Sequence, residues 1–325
     1  MRKDGNTMLK VGLILYSVRG EMERDPIGTV ERVAQMGYKN IEVCNHNAIA
    51  DPGCGFGVDA PVLKAAFDRF GAKVVSAHVF PFEKSDMQAV IAYNQALGNH
   101  NIVNPMGHFS TYDDLMRQCE DFNRWGKICR EAGMTYLYHN HDHEFKTFGG
   151  KAILDLIAEN TDPDYLSFEL DTFWTMRAGV NPMEQLKKMG SRVKLVHQKD
   201  FAWDSMAPIN TIGLTPEERE MKGEVGLDGN SDYAKKGGRY SAEAESEARR
   251  IRNTAFTEIG TGIMPIQQII DVANRYTAAQ YIILEQDYTR MESQFASVEK
   301  SMEGFKKFTG ISWDAAGTEN CPFLL

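Results

Sequence analysis

Three of the eight histidines in this 325-residue chain fall within five positions: His139, His141 and His143, in the run Tyr138-His139-Asn140-His141-Asp142-His143-Glu144-Phe145. Imidazole moves protons near neutral pH and, as the neutral ring, binds divalent metals. Three other stretches put a titratable group straight after an apolar run: Leu166-Ser167-Phe168-Glu169-Leu170-Asp171, Val193-Lys194-Leu195-Val196-His197 followed by Lys199, and Tyr281-Ile282-Ile283-Leu284-Glu285. An unpaired carboxylate there is expensive to bury, and a cation would offset that cost. Taken singly each has a plain structural reading, because loop histidines bond backbone groups and Asp171 fits a helix N-cap or an Asx turn.

The elements that must position these groups repeat. Short β-branched or apolar runs, read as strands at Val11–Ser17, Asn40–Val43, Lys73–His78, Asn101–Asn104, Thr135–His139, Ser167–Asp171, Val193–His197 and Tyr281–Glu285, alternate with helical periodicity. Helices are expected at Thr29–Met36, Ala60–Phe70, Asp86–Leu97, Tyr112–Ala132, Ala152–Glu159, Pro182–Lys188, Pro265–Arg275 and Met291–Phe308. Gly37, Gly71 and Gly133 stand where a helix would end before the next strand. Eight such units imply an α/β fold, a closed (β/α)8 TIM barrel, whose functional groups gather where strands end. The polar endings are Glu42, His78, Asn104, His139 with His141, Asp171, His197 with Lys199, and Glu285. Strand alternation sets His139 and His141 on the face of Leu137, opposite Tyr136 and Tyr138. The endings of strands five to eight therefore bring two imidazoles and two carboxylates to one volume. Mixed nitrogen and oxygen donors suit Mn²⁺, Co²⁺, Fe²⁺, Zn²⁺ or Mg²⁺ better than a thiolate-preferring ion.

Successive strand ends are 26 to 35 positions apart, but His197 and Glu285 are 88 apart, so an insertion is expected after strand seven, at 201–257, inside one domain spanning 1–325. That segment is charged, Gly-rich and almost without aromatics, which suits a solvated loop, a lid or a subunit-contact arm. A net charge of −9 without a basic cluster argues against nucleic acid and anionic lipid as partners. Five cysteines without CxxC spacing point to reduced thiols and a cytoplasmic location. The apolar run near the N-terminus is too short for a secretory signal, and no 18-residue apolar stretch would span a membrane.

Together, VGLILYSVRGEM, GYKNIEV, YHNHDHEF, FELDTFWTMRAG, VKLVHQKD, GTGIMPIQQII and YIILEQD resemble the xylose-isomerase-like TIM barrels of sugar phosphate isomerases and epimerases. The resemblance covers most of the chain and implies a divalent metal, Mn²⁺ first, held by strands five to eight. Asp171, His197 and Glu285 match three of the family's four ligands. His139 stands where the family commonly has Glu, with Glu144 as the substitute nearby. That departure weakens a two-base epimerase, and the YHNHD-EF version resembles instead a subgroup of inositol-ketone dehydratases and 3-oxo-glycoside lyases, including the larger subunit of C-glycoside deglycosidases.

The resemblance implies proton removal next to a carbonyl of a sugar or oxo-glycoside, followed by β-elimination or by isomerisation. His141, Glu285, Lys199 and Glu144 are the candidates for proton transfer. His78, Trp174, Arg177 and Tyr16 are the candidates for substrate contact, within an aromatic set that includes Phe80, Phe82, Phe109 and Phe173. A ketose 3-epimerase is the alternative enzyme, and a catalytically silent barrel used for binding or scaffolding is the alternative of another class. A multi-metal abasic-site endonuclease would need a basic groove that the charge does not supply. No Gly-rich phosphate cradle is present, which favours unphosphorylated carbohydrate or glycoside substrates. Self-association, or pairing with a smaller different subunit, completes the expectations.

Overall fold

The computed structural model describes residues 8–214 and 242–313. Eight parallel strands, β1 Leu9–Ile14, β2 Asn40–Asn45, β3 Lys73–Val79, β4 Asn101–Asn104, β5 Thr135–His139, β6 Ser167–Asp171, β7 Val193–Gln198 and β8 Tyr281–Leu284, each pair with the next in sequence. β8 then pairs with β1 from Lys10↔Tyr281 to Leu13↔Leu284, which closes the barrel. The pair Ile311–Ser312 adds a short strand beside the start of β1.

Alternation sorts the strand residues into two cores. Outward side chains such as Val11, Leu13, Ile41, Val43, Tyr136, Phe168 and Leu170 pack under the helices in one large cluster. Burying each large apolar side chain contributes roughly 1.5–3 kcal/mol. Inward, Ile14, Cys44, Val75, Val103, Leu137, Leu195 and Ile283 form a separate cluster inside the barrel. Leu137, Leu195 and Ile283 each lie two residues before His139, His197 and Glu285, so this apolar layer forms a floor directly beneath the mouth. From β6 the corresponding residue is Glu169, also fully buried.

The helices are set by local signals. Thr111 caps Tyr112–Glu131 by accepting from the Asp114 N–H at 3.1 Å, and Gly133 leaves the end of that helix at φ +74°. Several boundaries differ from those expected, two of them for reasons visible in the contacts. β1 stops at Ile14 because Leu15–Val18 turns into a 3-10 helix, where the Ser17 hydroxyl accepts the Gln286 N–H at 2.9 Å and ties β1 to the loop after β8. The last long helix begins at Gln294, three residues later than expected, because Ser293 caps it through the Ala296 N–H.

The segment expected as an insertion leaves and rejoins the barrel through an antiparallel pair, Asp200–Phe201 with Phe256–Thr257. Its residues 242–253 form a helix, and its residues 215–241 lie outside the described residues. The Asp200 carboxylate accepts from the N–H groups of Phe201, Gly260, Gly262 and Met264 at 2.9–3.0 Å. Gly262 is required there, since a Cβ would meet Phe201 O at 2.3 Å and Asp200 Oδ1 at 2.4 Å. Among the described residues no helix is long and apolar enough to cross a membrane.

Candidate metal centre

The ends of β5 to β8 meet at the barrel mouth. One nitrogen or oxygen from each of His139, Asp171, His197 and Glu285 lies within 4.8 Å of the other three, and all four residues are buried. His139 Nε2 is 3.5 Å from Asp171 Oδ2 and 3.9 Å from Glu285 Oε2, and His197 Nδ1 is 3.0 Å from Glu285 Oε2. Atoms bound about 2.1 Å from one ion at cis or tetrahedral angles stand about 3.0–3.4 Å apart, so the spacing suits a shared divalent cation. Among the described residues neither ring nitrogen of His139 has a hydrogen-bond partner, although the residue is 1% exposed. A buried imidazole left so is costly, and a cation would satisfy it. Asp171 also performs the capping role open to it, with Oδ1 accepting the Trp174 N–H at 2.9 Å while Oδ2 faces the group.

Lys199, fully buried and on the same face of its strand as His197, puts Nζ 2.5 Å from Asp171 Oδ2 and in closer contact still with Glu285 Oε2. Burial by itself would raise both carboxyls, but the Lys199 ammonium together with His139, and at Glu285 with His197 as well, outweighs it and holds Asp171 below and Glu285 well below the usual carboxylate range. In return, burial works to lower Lys199, and Asp171 and Glu285 overcome it and push the amine up, so it stays charged. His197 is opposed by burial too, yet Glu169 and Glu42 raise it well above an ordinary imidazole. Its Nε2 lies 2.6 Å from Glu42 Oε2 and 3.2 Å from Glu169 Oε2.

The opening histidine run divides its labour. His139 joins the group. The His141 ring stands 5.0 Å from that of His139 and 5.5 Å from that of Trp174, and its Nδ1 has no hydrogen-bond partner among the described residues. Burial, then His139 and His143, lower His141 well below its usual value and keep the ring neutral. His143 Nε2 lies 2.9 Å from Gly107 O. Glu144 is fully buried and turned back on its own loop, accepting from the Tyr138 hydroxyl at 2.6 Å and the His141 N–H at 2.9 Å. It is not one of the four grouped residues.

Of the residues expected at the substrate, Trp174 packs on His141, and Lys199 Nζ stands 5.6 Å over its ring. Arg177 is fully buried, with its guanidinium 5.8 Å from the Trp174 ring and 5.9 Å from that of Phe201. Tyr16 sits beside His46 under Arg19, its phenol pushed up to about 12 by burial and then Asp287. His78 lies one layer lower, its Nε2 2.6 Å from Glu169 Oε2, and burial lowers it to about 3. Phe82 packs with Trp125 and Tyr136, Phe109 with Tyr138, and Phe173 with Phe201 and Phe256, all in the outer core. Sequence reading missed Glu169. Its signal was alternation, since a Glu two residues before Asp171 in an apolar run must share its inward face.

Residues 30–308 match the family described as xylose isomerase-like TIM barrel. The inosose dehydratase of Mesomycoplasma hyopneumoniae strain 7448 is 24% identical over 230 residues, covering 62% of this chain and 71% of that protein. The crystal structure of a sugar phosphate isomerase/epimerase from Parabacteroides distasonis superposes with a TM-score of 0.68 at 22% identity, over 96% of this chain and 98% of that one. The IOLI protein, whose crystal structure holds a bound zinc atom, superposes with a TM-score of 0.59 at 11% identity, over 93% of this chain and 100% of that one.

Proposed function

This chain belongs to the xylose isomerase-like TIM barrel family, and from that premise we propose that it is a divalent-metal-dependent carbohydrate lyase, removing a proton next to a carbonyl of an unphosphorylated oxo-sugar or oxo-glycoside and eliminating a β-leaving group. The observation that carries the reading is the meeting of His139, Asp171, His197 and Glu285 from four consecutive strands at one buried mouth. These four would hold the ion, with Mn²⁺ as the expected metal and Zn²⁺ supported by the zinc-bearing structural relative. A bound divalent cation would act as a Lewis acid on the substrate carbonyl oxygen, worth several kcal/mol in the transition state.

The chain's own groups supply the proton transfers. His141, neutral and with Nδ1 unpartnered among the described residues, would accept the proton from the carbon next to the carbonyl. Lys199, kept as an ammonium between Asp171 and Glu285, is placed to donate toward the departing oxygen, so that the new C=C bond forms as the C–O bond breaks. A neutral base and a charged acid held apart in pKa by their surroundings are what acid–base chemistry at one pH requires. Trp174 offers a flat apolar face beside both groups for a sugar ring or an aglycone. Glu144, with both oxygens engaged in its own loop, is assigned to hold that loop rather than to move protons.

Elimination is favoured over isomerisation by the relatives named inosose dehydratase, and by a fifth-strand imidazole where a two-base epimerase would need a carboxylate. The test is NMR in deuterated solvent with the metal-loaded protein and a panel of 3-oxo-glucosides, inososes and ketoses. The proposal expects loss of water or an aglycone together with loss of the α-proton. An inverted centre without elimination would make it an epimerase, and bound metal with no exchange in any substrate would make it a binding barrel.

A further inference from the structure

We infer that Glu42 and Glu169, buried side by side one layer beneath the mouth, are positioning residues that fix the His197 proton on Nε2 and leave its Nδ1 lone pair for the ion. The inference rests on the metal reading above. Both glutamates and His197 are fully buried, and the two Oε2 atoms lie between two imidazoles. His197 Nε2 is 2.6 Å from Glu42 Oε2 and 3.2 Å from Glu169 Oε2, and His78 Nε2 is 2.6 Å from Glu169 Oε2 and 3.6 Å from Glu42 Oε2. A carboxylate accepting at 2.6 Å takes its proton from the imidazole Nε2, and although burial and then Glu169 raise Glu42, His197 Nε2 also faces the second carboxylate, Glu169, at 3.2 Å.

Without the ion His197 also donates from Nδ1 to Glu285 Oε2, and when an ion displaces that proton the one kept on Nε2 leaves Nδ1 with its lone pair. That atom lies 3.0 Å from Glu285 Oε2, on the side of the four-residue group. A ligating His whose other N–H is held by a carboxylate is oriented and made a stronger donor. The His78 ring, stacked on His197 at 5.1 Å and 11° between planes, holds Glu169 from its far side. Two carboxylates buried beside the apolar inner cluster are costly for folding alone. Their contacts to His197 give them a use that packing does not.

The same four side chains also bring ligand-type atoms within 4.8 Å of one another, so a second ion is the competing outcome. The two 2.6 Å contacts weigh against it, because two atoms about 2.1 Å from one ion stand about 3.0 Å apart or more. The experiment compares wild type, E42Q, E169Q and the double variant, with folding followed by far-UV circular dichroism and Zn²⁺ affinity by competition with a chromophoric chelator. ¹⁵N ring NMR of the zinc-loaded protein reads the His197 tautomer. The expected result is one ion per chain, an Nε2–H on His197, affinity about tenfold weaker in E42Q, and about 100-fold weaker in the double variant. Each single variant stands as a test if the double variant fails to fold. Unchanged affinity in folded E42Q and E169Q, or an Nδ1–H tautomer, overturns the inference while leaving the metal reading in place. Two ions in wild type falling to one in E169Q overturns it by making the pair ligands themselves, and wild type that binds no ion overturns both.

Discussion

Replacing Lys199 with methionine should tighten metal binding while abolishing turnover. Lys199 Nζ touches the same two oxygens, Asp171 Oδ2 and Glu285 Oε2, that would hold the ion. A unit charge about 4 Å from another interacts by about 4 kcal/mol at an effective dielectric of 20, and the ion carries two. Most of that is relieved when the ammonium swings toward the mouth. If even about 1.4 kcal/mol survives, the K199M protein binds the ion about tenfold more tightly than wild type. Without metal the same substitution strips two buried carboxylates of their partner, which costs about 3–5 kcal/mol. Titration calorimetry with Mn²⁺ and Zn²⁺ gives the affinity, and urea unfolding with and without metal gives the stability. The expected pattern is an ion-free variant much weaker than wild type and a metal-loaded variant that regains most of the difference. Folded K199M with unchanged or weaker affinity would refute the idea that ammonium and ion share these oxygens.

Removal of a ligand should be more severe, so H139A should lose more affinity than the roughly 10–100-fold expected from loss of an outer partner, with its circular dichroism spectrum retained. E144Q keeps one acceptor oxygen and turns the other into an NH2 group, so one of the hydrogen bonds from the Tyr138 hydroxyl and the His141 N–H is lost, which should cost roughly 1.5–3 kcal/mol in urea unfolding with metal content unchanged. The pH dependence of the ion-free protein follows from opposite shifts in the site. Asp171 and Glu285 are depressed, so their contribution is present above the unfolded carboxyl range, about 4, and is lost as pH falls through their lower folded values. His197 is raised, so its contribution is complete below about 6.5 and is lost as pH rises through its higher folded value. These groups together predict greatest resistance to urea between about pH 4 and 6.5, and a flat profile across pH 3 to 9 would contradict them. Metal affinity should climb with pH over the upper limb, because the ion displaces the Nδ1 proton of His197.

The barrel was legible because eight apolar runs recur, the first seven at nearly even spacing, and because Gly71 and Gly133 mark helix ends that the backbone confirms at φ +64° and +74°. The meeting of Asp171, His197 and Glu285 was legible for the same reason, since closing a barrel leaves strand ends only one place to meet. Less could be read where a side chain chooses between neighbours. Glu144 resembles a ligand by type and position, yet the Tyr138 hydroxyl and the His141 amide take both of its oxygens, a choice fixed by the turn at 143–145. His78 ends its strand among the polar residues, yet its Nε2 bonds Glu169 beneath it, because Glu169 was concealed inside a run that reads as hydrophobic. Lys199 was assigned to proton transfer from its place after His197, but its bridge between two carboxylates needs the distances across β6, β7 and β8.

The buried side chains Ile14, Cys44, Val75, Val103, Leu137, Leu195 and Ile283, with Glu42, His78 and Glu169 beside them, close the inner side of the site. With the entrance blocked by a bound sugar, a hydrogen lifted from carbon would wait on its acceptor instead of mixing with bulk water. Isotope placed on that carbon should then reappear in the product or the departing fragment more often than free exchange allows.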